Sequence, residues 1–146
     1  MKIGIKSNTV ILMVTFVSTA FGDSPFYLGG GAIGPRSSLS LKFKDHGIRT
    51  NWYYYDVTCI IENPNYYRQH PVVINVPEGR TTSVNNKSTI HGNAKLDKLV
   101  NTYEARELRP SDSHYPTERP AELFFQNFDS VDSVTVKDCY ATYSVN

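Results

Sequence analysis

Charge of one sign, cysteine and long apolar runs are all scarce in this chain, and each shortage removes a class of function. Fifteen Lys plus Arg stand against 14 Asp plus Glu over 146 residues, a net of +1. There is no basic tract of the kind that neutralises many phosphates, so nucleic acid is not expected as a partner. The glycine run Gly29 to Gly31 lacks the Gly-Lys-Ser or Gly-Lys-Thr ending of a phosphate loop, because Pro35 and Arg36 follow Gly34 instead. The four histidines, His46, His70, His91 and His114, are scattered and none has a second ligand at a recurrent metal spacing. Neither a metal nor a cofactor is expected. Low hydrophobicity is not among the shortages: 40% of the residues are hydrophobic, which argues for a folded domain.

The N-terminus carries a processing signal. Lys2 and Lys6 precede the apolar run Val10 to Val17, and the small residues Ser18, Thr19 and Ala20 follow. That order is the pattern of a secretory signal peptide over residues 1–22, with cleavage after Gly22 preferred to cleavage after Ala20, both of which satisfy a small-x-small rule. The run is well short of the roughly 20 residues that span a bilayer, so no membrane span is expected in the mature chain. Removing residues 1–22 takes away two lysines and no acid, and the net charge falls from +1 to −1. The expected location is secreted or periplasmic. Cys59 and Cys139 would then meet an oxidising compartment and are expected to pair. Closing a loop of that length removes roughly 4 kcal/mol of unfolded-chain entropy in the loop model.

The mature chain reads as strands separated by turns. Residues 23–36 are glycine-rich and are expected to form a flexible N-terminal arm ahead of a domain over 37–146. Ser38 to Lys44 alternates, with Leu39, Leu41 and Phe43 on one side. Asn51 to Glu62 is dense in strand formers and partly apolar on both faces, as a central strand should be. Val72 to Val76 is a short strand, and Arg80 to Val84 with Lys87 to His91 reads as a hairpin about Asn85 and Asn86. Leu96 to Leu108 fits helical or strand spacing, and its neighbours favour a strand from Val100 to Leu108. Ala121 to Phe128 and Ser133 to Val145 read as a final hairpin. In its second arm the apolar side switches from Val134 and Val136 to Cys139 and Ala141, which requires an inserted residue, a β-bulge near Lys137 and Asp138.

About seven or eight short strands with regular turn signals are the pattern of an all-β antiparallel β-sandwich. With Cys59 early and Cys139 on the last strand, the arrangement resembles an immunoglobulin-like architecture with one disulfide. It departs from the antibody family itself. Trp52 precedes the first Cys instead of following it, and Lys137 occupies the position two before the second Cys where that family places a tyrosine.

No catalytic constellation emerges. Ser111, Asp112, Ser113 and His114 hold the residue types of a nucleophile, a base and an acid, but neighbours on one loop do not converge as a triad, and no Gly-x-Ser-x-Gly turn is present. The aromatic content says more: 10 Tyr, with Trp52 and Tyr54 on one strand face and Tyr66 and Tyr67 in a polar turn. Exposed Tyr and Trp supply rigid contact area with a polar edge. These four are the candidate binding residues of a non-enzymatic domain for a protein or glycan partner, with the loop Ser111 to Pro120 as a second contact region. The competing readings are a structural subunit of a surface or envelope assembly, and a small secreted hydrolase or enzyme inhibitor. Asn86, Lys87 and Ser88 form a glycosylation sequon, which matters only in a eukaryotic secretory pathway.

Overall fold

The computed structural model describes residues 25–43, 54–109 and 122–144. The expected signal peptide, Trp52 and the loop Ser111 to Pro120 lie outside the described residues. The fold is all-β, with two antiparallel sheets and no α-helix among the described residues. Its strands are β1 (Phe26–Ile33), β2 (Ser38–Lys42), β3 (Tyr55–Glu62), β4 (Val72–Asn75), β5 (Thr81–Val84), β6 (Lys87–Ser88), β7 (Asn93–Leu96), β8 (Val100–Leu108), β9 (Glu122–Asn127) and β10 (Val134–Tyr143). One sheet runs β1-β10-β3-β8-β5-β6 and the other β2-β9-β4-β7.

Period-two alternation explains the central strands. Tyr55, Val57, Cys59 and Ile61 of β3 are buried while Asp56, Thr58, Ile60 and Glu62 are half-buried. β3 lies between β10 and β8, as its two partly apolar faces require. One core joins the two sheets: Tyr103 of β8 packs edge-on against Phe125 of β9, ring centres 5.7 Å apart. The buried Tyr103 hydroxyl donates to the Pro77 carbonyl at 2.6 Å, so the polar end of the ring is satisfied. Burial pushes the ionisation of that phenol far upward.

Cys59 and Cys139 form a disulfide between β3 and β10, where they are register partners with Cα atoms 4.1 Å apart. That spacing is the narrow kind of antiparallel pair, in which facing side chains come closest. The bridge therefore lies within one sheet. In antibody domains the corresponding bond crosses between sheets.

The expected bulge is present. Val136 pairs with Ile61 and Asp138 with Ile60, so Lys137 is the extra residue. The insertion lets Val136 and Cys139 face the same core despite an odd spacing. Asn85 and Asn86 take φ of 54° and 65° and join β5 to β6 through a two-residue turn. Positive φ at both positions is what the right-handed twist of the flanking strands demands.

Two expectations are corrected, and one strand is added. The glycine-rich arm is a paired strand, β1, on the edge of the larger sheet. Its glycines supply fit instead of freedom: Gly29 takes φ of +87°, and a Cβ on Gly30 would collide with the carbonyls of Val136 and Lys137 at the bulge. The final two strands are not a hairpin, since β9 belongs to the smaller sheet and β10 to the larger. Both alternate correctly, and alternation says nothing about which sheet a strand joins. β7 was not anticipated, because Asn93, Ala94 and Lys95 are weak strand formers.

Candidate binding face

The turn after β3 is built by one buried side chain. Asn63 donates its side-chain amide to the Leu96 carbonyl at 2.8 Å, its backbone N–H to the Leu99 carbonyl at 2.9 Å, and accepts from the Asn65 N–H at 3.0 Å. Pro64 follows, and the Tyr66 N–H returns to the Asn63 carbonyl. With the backbone tied inward, the two tyrosines are turned outward: Tyr66 is 43% exposed and Tyr67 72%. Their rings meet edge to face at 5.7 Å.

Two further buried asparagines hold the neighbouring loops. Asn101 donates to the Ile61 and Lys98 carbonyls and accepts from Asn85, which fixes the loop between β7 and β8. Asn127 donates to the Ile33, Gly34 and Asp132 carbonyls and accepts from the Asp129 N–H, which fixes the crossing from β9 to β10. Asp129 then accepts from the Asp132 and Val131 N–H groups at 2.6 and 2.9 Å. These bonds favour its ionised form and hold its carboxyl below the usual carboxylate range. Arg68 of the tyrosine turn lies 3.6 Å from the buried Asp132 carboxylate, joining that turn to the β9–β10 crossing.

These loops gather at one end of the molecule and, with the first residue of β8, carry Tyr66, Tyr67, Leu99, Val100, Phe128 and Val131, all exposed. They are six of the nine large hydrophobic residues exposed among the described residues, so apolar exposure is concentrated there. Scattered exposed hydrophobics are ordinary, whereas a gathering rimmed by Arg68, Lys98 and Asp129 is the composition of a contact surface.

Of the four residues expected to bind, Tyr66 and Tyr67 are brought together on this face. Tyr54 is not with them: it precedes β3, whose eight residues place it on the order of 25 Å away. The Arg109 guanidinium stacks over the Tyr54 ring, 4.4 Å from its centre, and donates to the Tyr54 hydroxyl. Tyr54 thus closes the start of β3 against the end of β8. Leu99, Val100, Phe128 and Val131 were missed from sequence. The available signal was an apolar residue set among turn formers, as in Ser130-Val131-Asp132.

A separate cleft of about 440 Å³ opens between the β5–β6 hairpin and β7, lined in part by Val84, Lys87, Ile90, Lys95 and Asp97. No group of three His, Cys, Asp or Glu placed to hold a metal ion occurs among the described residues. Comparison with protein-family models, curated proteins and solved structures finds no match for this chain.

Proposed function

We propose that the chain is an exported, non-enzymatic interaction domain, secreted or periplasmic, with an immunoglobulin-like β-sandwich architecture, that binds a protein or glycan through the face around Tyr66 and Tyr67. The carrying observation is that two exposed tyrosines in edge-to-face contact share one end of the molecule with Leu99, Val100, Phe128 and Val131. The aliphatic residues favour a protein over a glycan, since sugars stack on aromatic rings but gain little from Leu and Val. Tyr contributes contact area at low cost in side-chain entropy, and a hydroxyl for the polar rim.

The edges of the sheets support this reading over a subunit that assembles by strand pairing. β1 is irregular at Gly29, β6 has two residues, β7 four and β2 five. Short or bulged edges discourage pairing with another chain. Light scattering should accordingly give one monomeric size across concentrations, and a concentration-dependent increase would favour assembly.

The direct test places a photo-crosslinking residue at position 67 and, as a control, at the exposed position 42 on β2, then exposes both to the extracellular fraction of the source. A partner captured at 67, absent at 42 and lost on adding Tyr66→Ser and Phe128→Ser supports the face. Equal capture at the two positions sinks it. A glycan array in which Tyr66→Ala/Tyr67→Ala abolishes a saccharide signal would move the partner to the sugar class.

A further inference from the structure

We propose that Asn86 is the acceptor of an N-linked glycan, a reading that rests on the export proposed above taking a eukaryotic secretory route. The motif Asn86-Lys87-Ser88 sits at the tip of the β5–β6 hairpin, and all three residues are exposed. The two asparagines of that turn are not equivalent. Asn85 is committed to the fold: its amide donates to Asn101 at 2.8 Å and its carbonyl oxygen accepts the Thr102 N–H at 3.0 Å. Asn86 has no side-chain hydrogen bond among the described residues and stands free at φ of 65°. Glycine is the favoured second residue of such a turn, because it adopts positive φ without a Cβ penalty. Asparagine also tolerates positive φ, so the turn accepts it, and with no structural bond to make its carboxamide is left free for modification. Lys87 leans toward Asp97 at 3.9 Å, and the Ser88 hydroxyl is left accessible beside the acceptor.

The step needs a co-substrate of one class, a lipid-linked oligosaccharide pyrophosphate. The Asn86 Nδ2 forms a bond to the anomeric carbon of the first sugar and gives up one proton. The bond from that carbon to the pyrophosphate oxygen breaks, and the lipid pyrophosphate leaves with the electron pair. No oxidant or reductant is involved. The attached sugar would stand beside the cleft bordered by Lys87 and Ile90, the latter 74% exposed.

The test is expression of the full chain, with its own residues 1–22, in a eukaryotic secretory cell line, followed by mass spectrometry of the Asn86 peptide. The expected result is a secreted chain carrying an oligosaccharide on Asn86 that peptide N-glycosidase removes, leaving Asp. The whole sugar mass should be lost in Asn86→Gly, which preserves the turn, and in Ser88→Ala, and kept in Ser88→Thr. A secreted chain without sugar at Asn86, or sugar persisting in Ser88→Ala, overturns the proposal alone. Retention in the cytosol overturns the export reading and the modification together.

Discussion

The two ends of β3 carry the same residue type and treat it in opposite ways. At the start, Tyr55 is fully buried against Phe43 and Tyr143, and Tyr54 is clamped beneath Arg109. Past the other end, Tyr66 and Tyr67 reach into solvent. The difference lies in the backbone. Within the strand, alternation assigns each side chain to a face already covered by a neighbour, whereas in the turn the buried Asn63 takes the inward position and leaves the rings outside. Aromatic density in a sequence therefore marks either a core or a contact surface, and the element that holds it decides which.

The comparison is broken most forcefully at the buried end. Tyr55→Ala should cost about 3–5 kcal/mol, the usual range for truncating a large buried aromatic, read as a shift in the denaturant midpoint. A loss under ~1 kcal/mol would mean that the inner face of β3 is loosely packed.

Next in size is the hinge of the contrast. Asn63→Ala leaves the buried Leu96 carbonyl without its donor and should cost about 1–3 kcal/mol. Hydrogen exchange should quicken at Asn65 and Tyr66 while β3 stays protected. Uniform loosening of β3 would show that the turn is not an independent device.

A pH titration sharpens the comparison at the exposed end. The Asp129 carboxyl is held below its usual range by the Asp132 and Val131 amides, so its contribution to stability is present above the unfolded value near pH 4. It is lost as pH falls through the lowered folded value. The stability gap between wild type and Asp129→Asn should therefore be constant from about pH 5 to 7 and close in more acidic solution. A gap independent of pH would assign the loop's order to Asn127 alone.

The smallest effect is expected at the tyrosines themselves. Tyr66→Ala and Tyr67→Ala should each change stability by no more than about 0.5 kcal/mol, with partner capture lost. A cost comparable to that of Tyr55→Ala would remove the distinction between the two ends of β3.

Much of the fold was legible because its signals are local. The alternation of β3, the positive-φ turn at Asn85 and Asn86, and the odd spacing between Val136 and Cys139 each depend on a few consecutive residues. Of the proposed binding face, only Tyr66 and Tyr67 were legible, where a polar turn interrupts an apolar pattern. Leu99, Phe128 and Val131 were not, since their gathering depends on three loops separated in the chain and joined by Asn63, Asn101, Asn127 and the Arg68–Asp132 pair. A buried asparagine that satisfies distant carbonyls looks, in sequence, like any asparagine in a turn.

By itself the sequence determined the all-β character, the strand positions near the disulfide, a bulge near Lys137 and Asp138 and, with only two cysteines to pair, the Cys59–Cys139 bond. Tertiary structure alone decided that the glycine-rich segment pairs as β1, that β9 and β10 belong to different sheets, and that Tyr54 and Tyr67 lie at opposite ends. Period-two alternation sorts side chains between two faces, which neighbouring residues suffice to specify. The choice of partner strand is made by hydrogen bonds and packing between segments far apart in the chain, and no local pattern encodes it.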